Sequence, residues 1–177
     1  MKRAVFLDRD GVINEPVVRA GRPYPPACAD EVILVPDAAG SLTRLKQESF
    51  LLIVVTNQPD VARGTTTREN VEKINQILSS QLPLDDFLVC YHDDSDDCAC
   101  RKPKPGLLLE AAAKHEIDLA ASFFIGDRWR DIEAGVAARC RTILIDRCYN
   151  ERSANALPEK CVQSLSEAAE WILSQGK

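Results

Sequence analysis

A rhythm of short apolar runs sets the pattern of this chain. Five of them recur along its length: 3–7 (RAVFL), 50–55 (FLLIVV), 86–91 (DFLVCY), 122–125 (SFFI) and 141–145 (RTILI). The runs are continuous rather than alternating, which suits strands covered on both faces. Helical patterns lie between them. Val71, Ile74, Ile77 and Leu78 recur at helical spacing, and Thr66 with Glu69 has the spacing of a capping box at the start of that helix. PGLLLEAAAKHE opens with Pro105 near a first helical position, and WRDIEAGVAA and SLSEAAEWIL read as two more helices. A further helix is expected in DAAGSLTRLKQE, although Gly40 interrupts it. Strands alternating with helices predict an α/β architecture: a Rossmann-like, parallel, five-stranded sheet with helices on both faces.

One segment breaks the rhythm. Residues 15–31 hold Pro16, Pro23, Pro25 and Pro26, too many for a helix, and read as a long loop of the kind that binds or covers ligands. The chain has 177 residues, of which 45% are hydrophobic, and is expected to form a single domain over 1–177. A net charge of −5 argues against a general nucleic-acid binder, and no apolar run reaches membrane-spanning length. The N-terminus starts basic and then apolar, but Asp8, Arg9 and Asp10 interrupt it too soon for a signal peptide. A reducing, cytoplasmic location is therefore expected, where seven cysteines serve as thiols or metal ligands rather than as a disulfide framework.

In a parallel sheet, ligands bind beyond the carboxyl ends of the strands, so the residues after each run matter most. The first run is followed by Asp8, Arg9, Asp10 and Gly11, the second by Thr56, Asn57 and Gln58. The third is followed by a cysteine cluster and then Arg101 and Lys102, the fourth by Gly126, Asp127, Arg128 and Asp131. Asp8 and Asp10, two apart in extended backbone, point the same way and can divide labour, one attacking and one handling the proton. Their mutual repulsion needs a cation, and a few oxygen ligands suit Mg²⁺, with Asp127 and Asp131 adding negative charge. Thr56 and Lys102 meet the opposite need, a hydroxyl and a point charge for phosphate oxygens. The set is built for phosphoryl transfer through an aspartyl-phosphate. Asp131 also lies at an expected helix start, where it either complements the dipole or supports a metal ligand from behind.

Cys90, His92, Cys98 and Cys100 have the spacing C-x-H-x₅-C-x-C. Three thiolates and an imidazole make a closed tetrahedral set suited to structural Zn²⁺. The zinc loop, 90–102, then staples the segment that presents Arg101 and Lys102. The remaining Cys28, Cys140, Cys148 and Cys161 read as small buried or half-buried hydrophobes. His115 reads as a helix-end residue without a catalytic part, and DDSDD, between the zinc ligands, as a solvated turn.

FLDRDG, VVTNQ, CRKPKPG and GDRWRD, in that order, resemble the four motifs of the haloacid dehalogenase superfamily of phosphatases. More narrowly they resemble its D-glycero-D-manno-heptose 1,7-bisphosphate phosphatase and histidinol-phosphatase branch, over Arg3 to about Ile145. The resemblance implies Asp8 as nucleophile, Asp10 as general acid and then base, and Thr56 and Lys102 steadying the phosphoryl group. It implies Mg²⁺ held by the Asp8 side chain, the Asp10 main-chain carbonyl and Asp127, and a zinc loop at Cys90–Cys100. Relatives of this length lack a large cap domain, and the 15–31 loop sits where the family carries a small flap. Arg19 or Arg22 within it, with Arg101, is expected to contact a second anionic group. NQPDVARG places Arg63 as in the heptose enzymes, and Asn57 and Gln58 belong to the same substrate-binding set. The 7-phosphate of D-glycero-D-manno-heptose 1,7-bisphosphate is the first expected target. Histidinol phosphate is the alternative, permitted by Arg128 where the heptose motif carries Lys. An acceptor other than water and an inactive zinc-stapled binding module are the remaining readings. A monomer is expected, because no long apolar helix stripe stands out.

Overall fold

All five apolar runs become strands of one sheet, and a sixth strand joins them. The computed structural model describes residues 1–175. The strands are β1 (Ala4–Leu7), β2 (Val17–Arg19), β3 (Arg22–Tyr24), β4 (Leu51–Asn57), β5 (Asp86–Cys90), β6 (Phe123–Gly126), β7 (Arg141–Ile145) and β8 (Lys160–Val162). The helices are α1 (Ala38–Gln47), α2 (Arg68–Gln81), α3 (Gly106–His115), α4 (Trp129–Ala137) and α5 (Leu165–Ser174). The main sheet runs β5-β4-β1-β6-β7-β8, and every neighbouring pair is parallel. The sheet thus has six strands rather than five. β8 escaped the sequence reading because only Val162 of its three residues faces a core.

The period of two along each strand sorts side chains onto two cores. Val5, Leu7, Leu52, Val54, Phe123 and Ile125 face one layer with Leu42 of α1, Ile74 and Leu78 of α2, and Ala168 and Ile172 of α5. Ala4, Phe6, Ile53, Val55 and Phe124 face the other, with Leu107, Leu108 and Ala111 of α3 and Ala134 of α4. The 15–31 segment is not all loop. Val17–Arg19 and Arg22–Tyr24 pair as an antiparallel hairpin, turning at Gly21 with φ +74°. The cap of α2 lies one residue later than expected: Thr67 Oγ1 accepts from Asn70 N at 3.1 Å, while Thr66 Oγ1 takes the Asn70 side chain. Among the described residues no helix is long and apolar enough to cross a membrane.

The chain builds β1, β4 and β5 outward on one side, then returns to lay β6 on the other side of β1. Connections leave β1 and β6 in opposite directions, which opens a crevice beyond their carboxyl ends. Asp8 follows one of these strands and Asp127 the other.

Candidate active site

Asp8 continues the β1 ladder by donating its amide to Ile125 O at 3.0 Å. Its Oδ1 takes the Lys102 ammonium at 2.8 Å and the Arg9 amide at 2.8 Å. Oδ2 is left without a hydrogen-bond donor among the described residues. Burial pushes the Asp8 carboxyl up to about 6; Lys102 pulls it down, and Asp131 and Asp10 push it further up.

Lys102 is nearly buried, and its ammonium also reaches Asp131 Oδ1 at 2.6 Å and Val55 O at 2.9 Å. Burial pulls its pKa down, yet Asp131 and Asp8 outweigh that and hold it above the usual lysine range. Asn57 pins the backbone there: its Nδ2 donates to Lys102 O and its Oδ1 accepts from Lys102 N, both at 3.1 Å.

Asp127 completes the group. One ligand oxygen each from Asp8, Asp127 and Asp131 lies within 4.8 Å of the others. Burial, then the charges of Asp8 and Asp131, push Asp127 well above the carboxylate range. Its Oδ2 accepts from the Tyr149 hydroxyl at 2.8 Å, whereas Oδ1 is buried with no protein partner. A buried, unpartnered carboxylate oxygen beside two more carboxylates and one lysine is a donor set that fits Mg²⁺, a hard cation taking oxygen ligands. Two glycines let the groups approach. A Cβ on Gly11, at φ +90°, would lie 1.8 Å from Asp127 Oδ2, and one on Gly126 would lie 2.1 Å from Asp131 Cβ.

Asp10 is held from behind by Arg9, Asn14 and Gln58. Gln58 donates to Asp10 Oδ2 and to Thr56 Oγ1, both at 2.9 Å. It is 1% exposed and lies outside the cavity wall, so it supports the site rather than touching a substrate.

These groups open into a cavity of about 430 Å³ that Asp8, Asp10, Thr56, Asn57 and Lys102 line at one end. Arg22, Arg63, Arg101, Arg128, Arg130 and Arg152 make its wall basic. Five of them are held by carboxylates: Arg63 by Asp93, Arg101 and Arg130 by Asp94, Arg128 by Glu151 and Arg152 by Glu133. Arg22 has no carboxylate partner among the described residues. Arg19 lies off the wall, exposed, with its guanidinium 5.7 Å from the Tyr24 ring.

The second cluster lies beyond β5. Sγ of Cys90, Cys98 and Cys100 are 3.1–3.7 Å apart, and His92 Nδ1 lies 3.3 Å from Cys100 Sγ. Thiolates at about 2.3 Å from a tetrahedral Zn²⁺ would stand about 3.8 Å apart, so the four side chains can hold that ion. Burial, then the adjacent Cys100 sulfur, push the Cys90 thiol far above its usual range, a cost that a bound cation removes. DDSDD is more than a solvated turn. Asp93 caps a 3₁₀ turn, Asp94–Asp96, and Asp93 and Asp94 carry the ion pairs to Arg63, Arg101 and Arg130. Cys140 is buried and Cys28 half-buried as expected, but Cys148 and Cys161 are exposed. His115 ends α3 and bonds Asp86, away from the site.

The comparisons with known proteins agree with this geometry. Residues 99–168 match a family model described as HAD-hydrolase-like. The chain is 33% identical, over 96% of its length and 97% of the relative's, to a D-glycero-beta-D-manno-heptose-1,7-bisphosphate 7-phosphatase of Helicobacter pylori. This chain belongs to the HAD-like hydrolases. An Escherichia coli K12 enzyme of the same name is 32% identical over 97% of this HAD-like hydrolase and 88% of the relative. The crystal structure of a D,D-heptose 1.7-bisphosphate phosphatase from B. bronchiseptica, complexed with magnesium and phosphate, superposes with a TM-score of 0.82 at 31% identity, covering 99% of each chain.

Several residues of this hydrolase's site were not foreseen. Tyr149 and Glu151 come from the loop after β7, whose sequence carries no motif. Arg9 lies between two carboxylates and Arg130 in the first turn of α4, and no sequence pattern marks either. Asp131, expected at a helix start to complement the dipole or to support a metal ligand, is 1% exposed and both pairs with Lys102 and caps α4 by accepting Arg128 N at 3.0 Å.

Proposed function

We propose that this chain is a Mg²⁺-dependent phosphoric monoester hydrolase that removes the 7-phosphate of D-glycero-D-manno-heptose 1,7-bisphosphate. The observation that carries the reading is the convergence of Asp8, Asp127 and Asp131, two of them paired with Lys102, with Asp127 Oδ1 buried and unpartnered among the described residues. Asp8, the Asp10 carbonyl and Asp127 would hold the cation. When bound, Mg²⁺ offsets the charge of the phosphoryl oxygens beside three carboxylates.

The protein's own groups do the rest. Asp8 Oδ2, the oxygen without a donor, attacks phosphorus while Lys102 and the Thr56 hydroxyl steady the phosphoryl oxygens. The P–O bond to the sugar breaks, and Asp10 gives its proton to the leaving oxygen. Asp10 then takes a proton from water, whose oxygen attacks phosphorus, and the P–O bond to Asp8 breaks to release inorganic phosphate. A structural Zn²⁺ at Cys90, His92, Cys98 and Cys100 fixes the loop whose Asp93 and Asp94 hold Arg63, Arg101 and Arg130.

The basic wall supports a second phosphate on the substrate, with Arg22 free to meet it. Histidinol phosphate would bring an ammonium and an imidazole against those arginines, so it ranks second despite Arg128. The four zinc ligands need a reducing compartment, which supports the cytoplasm. Leu109 and Val136 are the only large apolar residues that the described helices expose, which supports a monomer. A paired assay of heptose bisphosphate and histidinol phosphate, compared by kcat/KM with Mg²⁺ present, tests the substrate. Asp8→Asn is expected to abolish release of inorganic phosphate. Persistence of turnover in that variant would overturn the mechanism, and inertness of the wild type towards every phosphate ester would favour a binding module.

A further inference from the structure

Arg9 is the largest side chain wholly removed from solvent among the described residues. Its guanidinium forks its own neighbour. Nε lies 3.3 and 3.2 Å from Asp10 Oδ1 and Oδ2, and Nη2 lies 3.0 Å from Oδ2. The remaining nitrogen, Nη1, donates to Asn75 Oδ1 of α2 at 3.0 Å. Adjacent residues of an extended strand point to opposite faces. Here the turn after β1 folds them together: the amides of Val12, Ile13 and Asn14 all donate to Arg9 O at 3.0–3.3 Å.

A buried ion pair is weak support for stability, because desolvating the two charges cancels much of their attraction. Its strength is geometric, since a planar fork fixes the plane of the carboxylate that it holds. Asn14 Nδ2 and Gln58 Nε2, each at 2.9 Å, fix the two oxygens from the flanks. Asp10 keeps 15% of its side chain exposed and lines the cavity. A carboxyl clamped on its inner edge can meet a ligand only through the outer one.

We infer that Arg9, anchored by Asn75, is a positioning residue that fixes the orientation from which Asp10 protonates the leaving oxygen. The inference rests on the reading of Asp10 as general acid. The Arg9 guanidinium moves no proton itself; it prevents the carboxyl from swivelling away.

The test measures kcat/KM for phosphate monoesters of graded leaving-group acidity, from 2,4-dinitrophenyl phosphate to simple alkyl phosphates. This ratio reports only the steps up to departure of the leaving group. A dinitrophenolate leaves without a proton, whereas an alkoxide does not. Arg9→Gln is expected to lose about 10- to 100-fold on alkyl phosphates and under about threefold on the dinitrophenyl ester, with affinity for inorganic phosphate unchanged. Arg9→Lys, which keeps the charge and loses the fork, should share this selective loss. Asn75→Leu, which leaves Arg9 in place, should show a smaller one and carries the test if the Arg9 variants do not fold. Asp10→Asn is the reference for loss of the acid. If it steepens the dependence on leaving group while the Arg9 and Asn75 variants lose activity equally on all esters, Arg9 is merely structural and the inference is overturned. If Asp10→Asn itself does not steepen it, the acid role fails and the inference falls with it.

Discussion

Lys102 and Asp131 form a buried ion pair, with Nζ 2.6 Å from Oδ1. The lysine is thereby anchored by one carboxylate while it addresses another, Asp8, at 2.8 Å. Asp131→Asn removes the anchoring charge but leaves Asp8 and Val55 O in place. We expect kcat to fall about 10- to 100-fold with the fold retained. Lys102→Met should cost more, because it leaves Asp8 and Asp131 without their shared counter-charge. Thermal melting without Mg²⁺ should show that variant destabilised, with added Mg²⁺ restoring part of the loss.

The pH dependence of the metal-free protein follows from Asp8. Its folded pKa, raised to about 6 first by burial, exceeds the ordinary value of 3.8. The folded state therefore holds this proton more tightly than the unfolded state does. The stabilisation is fully present below about 4 and is lost as pH rises through about 6. At pH 8 without Mg²⁺, Asp8→Asn should melt about 2–6 °C above the wild type, and the gap should shrink by pH 5. Calorimetry should show Mg²⁺ binding more weakly below pH 6, with proton release on binding.

Removing zinc should act on the substrate through arginines. Arg63, Arg101 and Arg130 rest on Asp93 and Asp94, which lie between the zinc ligands His92 and Cys98. Chelation, or Cys98→Ser, should raise KM for the heptose bisphosphate about tenfold while changing that for p-nitrophenyl phosphate little. Alkylation should label Cys148 and Cys161 in the loaded protein and reach Cys90, Cys98 and Cys100 only after chelation. Cys140, whose thiol burial pushes up to about 12, should stay unlabelled.

The two flap arginines should separate. Arg22 lines the cavity without a carboxylate partner among the described residues, whereas Arg19 lies outside it. Arg22→Ala is expected to raise KM for a bisphosphate about 10- to 100-fold and for a small monophosphate less than threefold. Arg19→Ala should change neither, as measured by initial rates.

Sequence alone disclosed what is local and periodic. Continuous apolar runs announced the central strands, and four strand ends in order announced Asp8, Thr56, Lys102 and Asp127. The Cys90, His92, Cys98 and Cys100 cluster was legible because coordination demands particular residue types at close spacing. What escaped was set by tertiary contact. β8 has one inward residue, and the Gly21 hairpin was hidden by its prolines. Tyr149 reaches Asp127 across 22 positions, and Arg9 is defined by Asn75, 66 positions away. Asn57 was expected to face the substrate, yet both ends of its amide are engaged by the Lys102 backbone. Arg63 lines the cavity but leans on Asp93.

The strand that leads into Asp8, the proposed nucleophile, lies in the middle of the sheet, between β4 and β6, although it precedes both of them in the chain. Its two neighbours, with Lys102 and Asp127, emerge from the ribosome only some 45 to 120 residues later. A nascent fragment therefore has no half-formed site with which to bind metal or hydrolyse esters. A nonsense mutation before Asp127 would leave an unpaired apolar edge for chaperones and proteases to recognise rather than a partly active enzyme.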